Sequence, residues 1–214
     1  MSKSIRFYLD YLSGYSYVAW TQIHALAARH GAIVEPVPVL FAGMAKAHGT
    51  KVPLDVPARR TYILKDLIRT AKVLGIPFEP PPVFPFNPLL PLRVSSVDLP
   101  PDALHRLVDA IFRAVWAGGP GAADEQVVAS VADRAGLDGQ ALVAQAREPA
   151  TKERLHLQTE GAVRLGVFGV PTMAIGGELF WGFDSFGHLE RTLRGEDPLD
   201  LDLLQRWSKA ADAR

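Results

Sequence analysis

The sequence predicts an α/β fold whose small sheet is built from both ends of the chain, with a large all-helical insertion between them. Three observations carry this. The opening segment reads as strand, helix, strand. The closing segment reads as a long helix followed by strand, strand, helix. The stretch between them places apolar residues at helical spacing, again and again.

Each element follows from its pattern. Ile5–Asp10 reads as a first strand, with Phe7 and Leu9 on one face. Ser16–His30 reads as a helix, with Ala19, Ile23, Leu26 and Ala27 on one stripe and Gly31 as its stop. Ile33–Leu40 reads as a second strand. Pro36 and Pro38 lack N–H donors, which sends this strand to a sheet edge or to a bulge. Ala58–Leu74 is a helix with Ile63, Leu67, Ala71 and Leu74 aligned, ended by Gly75 and Pro77. The proline-dense stretch Pro77–Pro91 reads as a loop anchored by Val83, Phe84, Phe86, Leu89 and Leu90. Pro101–Trp116 is a strongly periodic helix, and Asp124–Ala135 and Asp138–Arg147 are shorter ones. Ala150–Leu165 is another. Thr172–Ile175 and Glu178–Trp181 form a hairpin across Gly176-Gly177, a pair that supplies the positive φ of a two-residue turn. Asp184–Leu193 reads as a helix with Asp184 as its N-cap, and Leu201–Ala211 as a last helix.

This order matches a thioredoxin-like fold with a large all-helical insertion. Residues 1–40 and 150–214 form the thioredoxin-like domain, and residues 41–149 the helical insertion domain.

Composition narrows the function. Lys plus Arg and Asp plus Glu both number 23, so bulk charge favours neither nucleic acid nor a membrane surface. The absence of cysteine removes disulfides, a CxxC redox centre and thiolate metal sites. The histidines show no close-spaced pair flanking an acid, so no metal site is expected. No apolar signal core or long apolar span is seen, and the expectation is a soluble, cytoplasmic protein.

Three local features carry chemistry. Ser13 stands between the first strand and the first helix. A helix start offers free N–H groups and the positive end of a dipole, so it favours an anion, and a serine hydroxyl adds a donor. As a nucleophile Ser13 lacks a nearby base; as a donor to a thiolate it suits the place. An ordinary N-cap role fits the same residue, and Ser16 is an alternative cap. Val170-Pro171 precedes a strand. If its bond is cis, the Val170 N–H and C=O turn outward to pair with an extended ligand; a trans turn is the alternative. A sulfur bound there would have to arrive on a cofactor, because the chain has none in cysteine. Asp184 with Ser185 opens a helix. Its N–H groups suit a carboxylate and the Asp184 side chain suits an ammonium, alongside simple capping.

At these residues the chain resembles the 2-hydroxychromene-2-carboxylate isomerases and the kappa-class glutathione transferases, within the DsbA-like thioredoxin superfamily. The resemblance runs over essentially the whole chain. It rests on Phe7-Tyr8-Leu9-Asp10-Tyr11-Leu12-Ser13 with Tyr15-Ser16-Tyr17, on Gly49-Thr50-Lys51-Val52-Pro53, on Val56-Pro57, and on Tyr62 with Lys65-Asp66-Leu67. Leu74-Gly75-Ile76-Pro77, Phe86-Asn87-Pro88, Arg93, Val167-Phe168-Gly169-Val170-Pro171-Thr172 and Phe180-Trp181-Gly182 with Asp184 complete it.

The resemblance implies glutathione as cofactor. It implies that Ser13 activates the thiol, that Val170 before Pro171 pairs with the cysteinyl backbone, and that Asp184 and Ser185 bind the γ-glutamyl end. Thr50 and Arg59 fall where relatives touch the tripeptide. The implied reaction is isomerisation of 2-hydroxychromene-2-carboxylate to trans-o-hydroxybenzylidenepyruvate in aromatic hydrocarbon catabolism, through thiolate addition, bond rotation and thiolate loss. A flat aromatic acid wants apolar walls and a cation: Tyr11, Phe84, Phe86 and Trp116 are candidate walls, with core packing as the alternative for each, and Lys46, Arg59 and Arg93 are candidate cations. His48 is a candidate acid or base. The implied state is a homodimer. A transferase or peroxidase using the same thiolate, or a non-catalytic binding protein of DsbA type, are the alternatives. Three positions depart from the family pattern: Gly14 replaces a usual proline, Thr50 a usual asparagine and Phe183 a usual small polar residue. The expected consequences are a looser Ser13 loop and weaker glutathione binding.

Overall fold

The structure, a computed structural model, describes residues 3–51 and 55–212. Strand β1 (Lys3–Leu9), helix α1 (Gly14–Arg29) and strand β2 (Ala32–Pro38) form the expected opening unit. The helices α2 (Phe41–Ala47), α3 (Pro57–Leu74), α4 (Leu89–Val94), α5 (Pro101–Trp116), α6 (Glu125–Arg134) and α7 (Gly139–Arg147) follow. Helix α8 (Pro149–Arg164) then leads into β3 (Thr172–Ile175), β4 (Glu178–Trp181), α9 (Phe186–Arg194) and α10 (Leu201–Asp212). The sheet order is β2-β1-β3-β4: β2 is parallel to β1, and β3 and β4 are antiparallel to their neighbours. The two prolines of β2 therefore lie on an edge strand, where a missing donor costs no ladder bond.

The pleat of β1 divides the core. Ile5, Phe7 and Leu9 join Val18, Trp20 and Ile23 of α1 and Leu107, Ile111 and Phe112 of α5 in one cluster. Tyr8 belongs to the other side, with Met44 of α2, Ala162 of α8, Val167 and Ala174. The intervening helices thus share their apolar interior with the sheet. Each large apolar side chain so buried contributes roughly 1.5–3 kcal/mol.

The structure departs from expectation most at four helices. Helix α1 begins at Gly14 rather than Ser16, because Ser13 is its N-cap and accepts from the Ser16 N–H at 3.1 Å. Asp184 is not an N-cap. A 3-10 turn covers Phe183–Ser185, and α9 starts only at Phe186. The short helices α2 and α4 arise where no helix, and a loop, were expected. The start of α2 is held from a distance: Asp10 Oδ2 accepts from the Phe41 N–H at 3.0 Å, and Thr159 Oγ1 accepts from the Leu40 N–H at 3.1 Å. No local pattern reports such a cap.

Candidate functional site

The site is assembled where β1 ends, α1 begins and the turn before β3 passes. The Ser13 backbone N–H donates to the Asp10 carbonyl at 3.0 Å, which closes the turn that carries the serine. Its hydroxyl accepts from Ser16 and donates to the Val170 carbonyl at 3.3 Å. The Val170-Pro171 peptide is cis. Pro171 is buried, and its carbonyl accepts from the Gly182 N–H at 2.9 Å, which ties this turn to the Asp184 turn. Among the described residues, the N–H groups of Gly14, Tyr15 and Val170 have no hydrogen-bond partner. The first two open α1, and the third belongs to the residue whose carbonyl Ser13 contacts.

Asp184 is exposed and folds back over Gly182, where a Cβ would lie 2.3 Å from its Oδ1; Gly182 is required there, with φ +84°. Its charge reaches Tyr15, two residues beyond Ser13. Burial first, then the hydrogen bond to Asp66, and finally the charges of Asp66, Tyr62 and Asp184 hold the Tyr15 hydroxyl above its usual range. Tyr15 donates to Asp66 Oδ2 of α3 at 2.8 Å. The Ser185 hydroxyl is turned inward and donates to the Gly182 carbonyl at 2.8 Å. Phe183 packs edge-on against Phe186, 4.9 Å between ring centres.

Gly14 is packed, not loose. A Cβ at this position would come within 2.6 Å of Leu67 Cδ1 and 3.3 Å of the Trp116 ring. Where a looser loop was expected, Leu67 of α3 and Trp116 of α5 pack directly onto the glycine.

The other expected residues lie at varying distances from this centre. Thr50 is exposed and its hydroxyl donates to the Ala45 carbonyl at the end of α2. Arg59 is exposed on the first turn of α3, and Lys46 is exposed near the end of α2. Val52 and Pro53, part of the family pattern, lie outside the described residues. Tyr11 is wholly buried: its hydroxyl lies 2.5 Å from Ser95 Oγ, its ring meets Phe112, and its carbonyl accepts from Trp116 Nε1. It is a core residue and cannot wall a substrate. Trp116 and Phe86 are likewise buried. Phe84 is half-buried with its ring against Trp116, which in turn covers Gly14. Arg93 is half-buried on α4, with its Nε buried and unpartnered among the described residues. His48 Nε2 lies 3.1 Å from the Val167 carbonyl. A carbonyl only accepts, so this nitrogen carries the proton and fastens the end of α2 to the segment leading to Val170.

Sequence reasoning missed two groups. Asp10 is 1% exposed; Oδ1 accepts from the Leu12 N–H and Oδ2 from the Phe41 N–H. Burial pushes its carboxyl up to about 6, against the lowering effect of those two bonds. A lone acid ending an apolar strand, three residues before Ser13, was the available signal. The second group is an aromatic pair beside the cis turn. Phe168 and Trp181 face each other at 5.1 Å, both about half exposed, with Trp181 Nε1 lying over Gly169.

The fold defines a thioredoxin-like protein, with a serine between its first strand and first helix and no cysteine in the chain. Comparison with known proteins is consistent with that. The model of the DSBA-like thioredoxin domain matches residues 4–194. A 2-hydroxychromene-2-carboxylate isomerase of Pseudomonas putida is 32% identical over 196 residues, covering 88% of this chain and 93% of that protein. Glutathione S-transferase kappa 1 of Caenorhabditis elegans is 26% identical over 223 residues, covering 96% and 97%. A solved structure of a 2-hydroxychromene-2-carboxylate isomerase superposes with a TM-score of 0.80 at 27% identity, over 99% of both chains. The chain belongs to the DSBA-like thioredoxin family, in the group that holds the 2-hydroxychromene-2-carboxylate isomerases and the kappa-class glutathione transferases. Among the described residues, no helix is long and apolar enough to cross a membrane.

Proposed function

We propose that the protein is a glutathione-dependent isomerase, interconverting 2-hydroxychromene-2-carboxylate and trans-o-hydroxybenzylidenepyruvate in the cytoplasm as part of aromatic hydrocarbon catabolism, and that it pairs with a second copy. The observation that carries this reading is the Ser13 hydroxyl, placed at the start of α1 and hydrogen-bonded to the residue before cis-Pro171.

The residues present fit glutathione. The unpartnered Val170 N–H suits the cysteinyl backbone, as an added strand would. The free N–H groups of Gly14 and Tyr15 and the dipole of α1 suit an anionic sulfur. Rotation about one C–O bond moves the Ser13 proton from the Val170 carbonyl to that sulfur. Such a site lowers a thiol pKa of about 8.5 by a unit or two. Asp184, exposed above Gly182, suits the γ-glutamyl ammonium, with Ser185, Thr50 and Arg59 as further contacts. Glutathione held here would supply a nucleophilic thiolate, the chemistry that a reversible isomerisation of a conjugated acid needs. This chain's own residues hold the sulfur, orient the acid and shield it. Phe168 and Trp181 offer a half-exposed aromatic surface for a flat substrate, with Phe84 further in. Arg93, with an unpartnered buried Nε, suits the substrate carboxylate, and Lys46 is a second cation for it.

The test is conversion of 2-hydroxychromene-2-carboxylate followed by absorbance, with and without glutathione. The expected result is conversion only when glutathione is present. Conversion independent of glutathione, or none at all, overturns the reading. Formation of a glutathione conjugate with an electrophile in place of isomerisation favours the kappa-class alternative, whose relatives cover nearly the whole chain.

A further inference from the structure

Helix α2 is seven residues long, and Leu40 at its N-cap has no side chain to cap it. So short a helix does not hold itself in water. Both of its ends are fastened instead to the two turns that make the candidate site. At its start, Asp10 Oδ2 accepts from the Phe41 N–H at 3.0 Å. The other carboxylate oxygen, Oδ1, accepts from the Leu12 N–H at 2.9 Å, and the Asp10 carbonyl accepts from the Ser13 N–H at 3.0 Å. Asp10 therefore ties the turn that carries Ser13 to the first turn of α2. At the far end, the His48 N–H donates to the Met44 carbonyl at 3.0 Å, and its ring Nε2 donates to the Val167 carbonyl at 3.1 Å. Val167 is wholly buried and stands three residues before Val170. The bond from the Ser13 hydroxyl to the Val170 carbonyl closes the circuit.

Capping alone does not account for these groups. A serine, threonine or asparagine caps a helix as well as an aspartate does. Burying a carboxylate is costly unless its oxygens are bonded, and the two oxygens of Asp10 take their N–H groups from two different elements. His48 is exposed, so its ring bond is not a by-product of packing. The body of α2 between the two fastenings is a rigid span of about 10 Å.

We infer that α2 is a strut that fixes Ser13 relative to Val170, with Asp10 and His48 as positioning residues at its two ends. The inference rests on glutathione binding at this site, and it adds two residues that set how well the sulfur meets the serine without touching the ligand. A hydrogen bond weakens steeply as its geometry opens, so the pKa of the bound thiol reports the strut.

Titration of bound glutathione by thiolate absorbance tests this. His48→Ala should raise the pKa of the bound thiol by about half a unit, about threefold in the acid constant. Thermal unfolding should change little, because His48 is exposed. His48→Gln keeps an N–H donor at similar reach and should return the wild-type value. Asp10→Asn should also raise the thiol pKa. The sign is diagnostic, since removing a buried negative charge near an anion by itself lowers it. Asp10→Asn combined with His48→Ala should raise it no further than the larger single change, because a strut freed at one end transmits nothing from the other. Independent effects from two ends this far apart would add. Should Asp10→Asn not fold, the two His48 variants decide alone. A wild-type protein that binds no glutathione overturns the reading itself, and the role of the strut with it. A lowered wild-type thiol pKa that ignores His48→Ala, that His48→Gln fails to restore, that stays or falls with Asp10→Asn, or that shifts additively in the double variant overturns the strut alone.

Discussion

The Ser13 hydroxyl donates to the backbone carbonyl of Val170, 157 residues away in sequence, across 3.3 Å. This one bond joins the first helix start to the turn that opens the closing hairpin. The surroundings of both residues are closely packed and hydrogen-bonded: Ser13 is a cap, Gly14 is packed beneath two helices, and Pro171 is buried and tied to Gly182.

Gly14 is therefore a close-approach glycine. Gly14→Ala should destabilise the protein by about 1–3 kcal/mol, the usual cost of overfilling a packed core. Gly14→Pro places proline at the first helical position, which backbone geometry favours, yet meets the same Leu67 methyl. Urea unfolding should show Gly14→Pro destabilising in the wild-type background and less so, or not at all, beside Leu67→Ala. An equal cost in both backgrounds would mean that Leu67 does not set the constraint.

Asp10 makes stability depend on pH. Its carboxyl is raised from 3.8 to about 6 in the fold, chiefly by burial. The folded chain therefore holds this proton more tightly than the unfolded chain. The associated stability is present below about pH 4 and lost as pH rises through about 6, amounting to as much as about 3 kcal/mol. Asp10→Asn removes the titration. Unfolding curves at pH 4.5 and 7.5 should show the wild-type protein losing stability relative to Asp10→Asn as pH rises. A difference that is flat with pH would show that Asp10 stays ionised throughout.

Asp184 should act on binding rather than on turnover. Asp184→Asn keeps the side-chain shape over Gly182 and removes the charge. The KM for glutathione should rise about tenfold, the loss of one charge-assisted hydrogen bond, with kcat little changed. Because the Asp184 charge helps to raise Tyr15, the Tyr15 hydroxyl should also titrate lower in this variant. A fall in kcat with KM unchanged would place Asp184 in the chemistry instead.

The legible part of the fold is the part written in short-range patterns. The alternation of Ile5, Phe7 and Leu9, the stripe along Pro101–Trp116 and the Gly176-Gly177 hairpin are all local signals, and each became the element it implies. The illegible part depends on partners far along the chain. Helix α2 is capped by Asp10 and Thr159, so seven residues without a cap of their own gave no sign of it. Tyr11 looked available beside Ser13, yet it is sealed by Ser95 and Trp116 from two later helical segments. Gly14 looked loose for the same reason, since Leu67 and Trp116 close on it only in three dimensions. Ser13 and Val170 drew notice because each sits at an element boundary, where the local pattern changes, and the structure brings those two together. Phe168 and Trp181 entered the sequence reading only as parts of the family pattern; their exposure and mutual contact beside the turn distinguish them.

The proton on a bound thiol offers the most direct test of what Ser13 does. Titrating glutathione in complex with the protein, by thiolate absorbance, should give a pKa about one to two units below the free value of about 8.5 in the wild-type protein, and a value close to free glutathione with Ser13→Ala. Loss of the cap should cost Ser13→Ala only about 1 kcal/mol of stability, so the variant remains folded for the measurement. A bound thiol that titrates identically in the two proteins would contradict the role of Ser13 as donor to the sulfur and reduce it to the cap of α1.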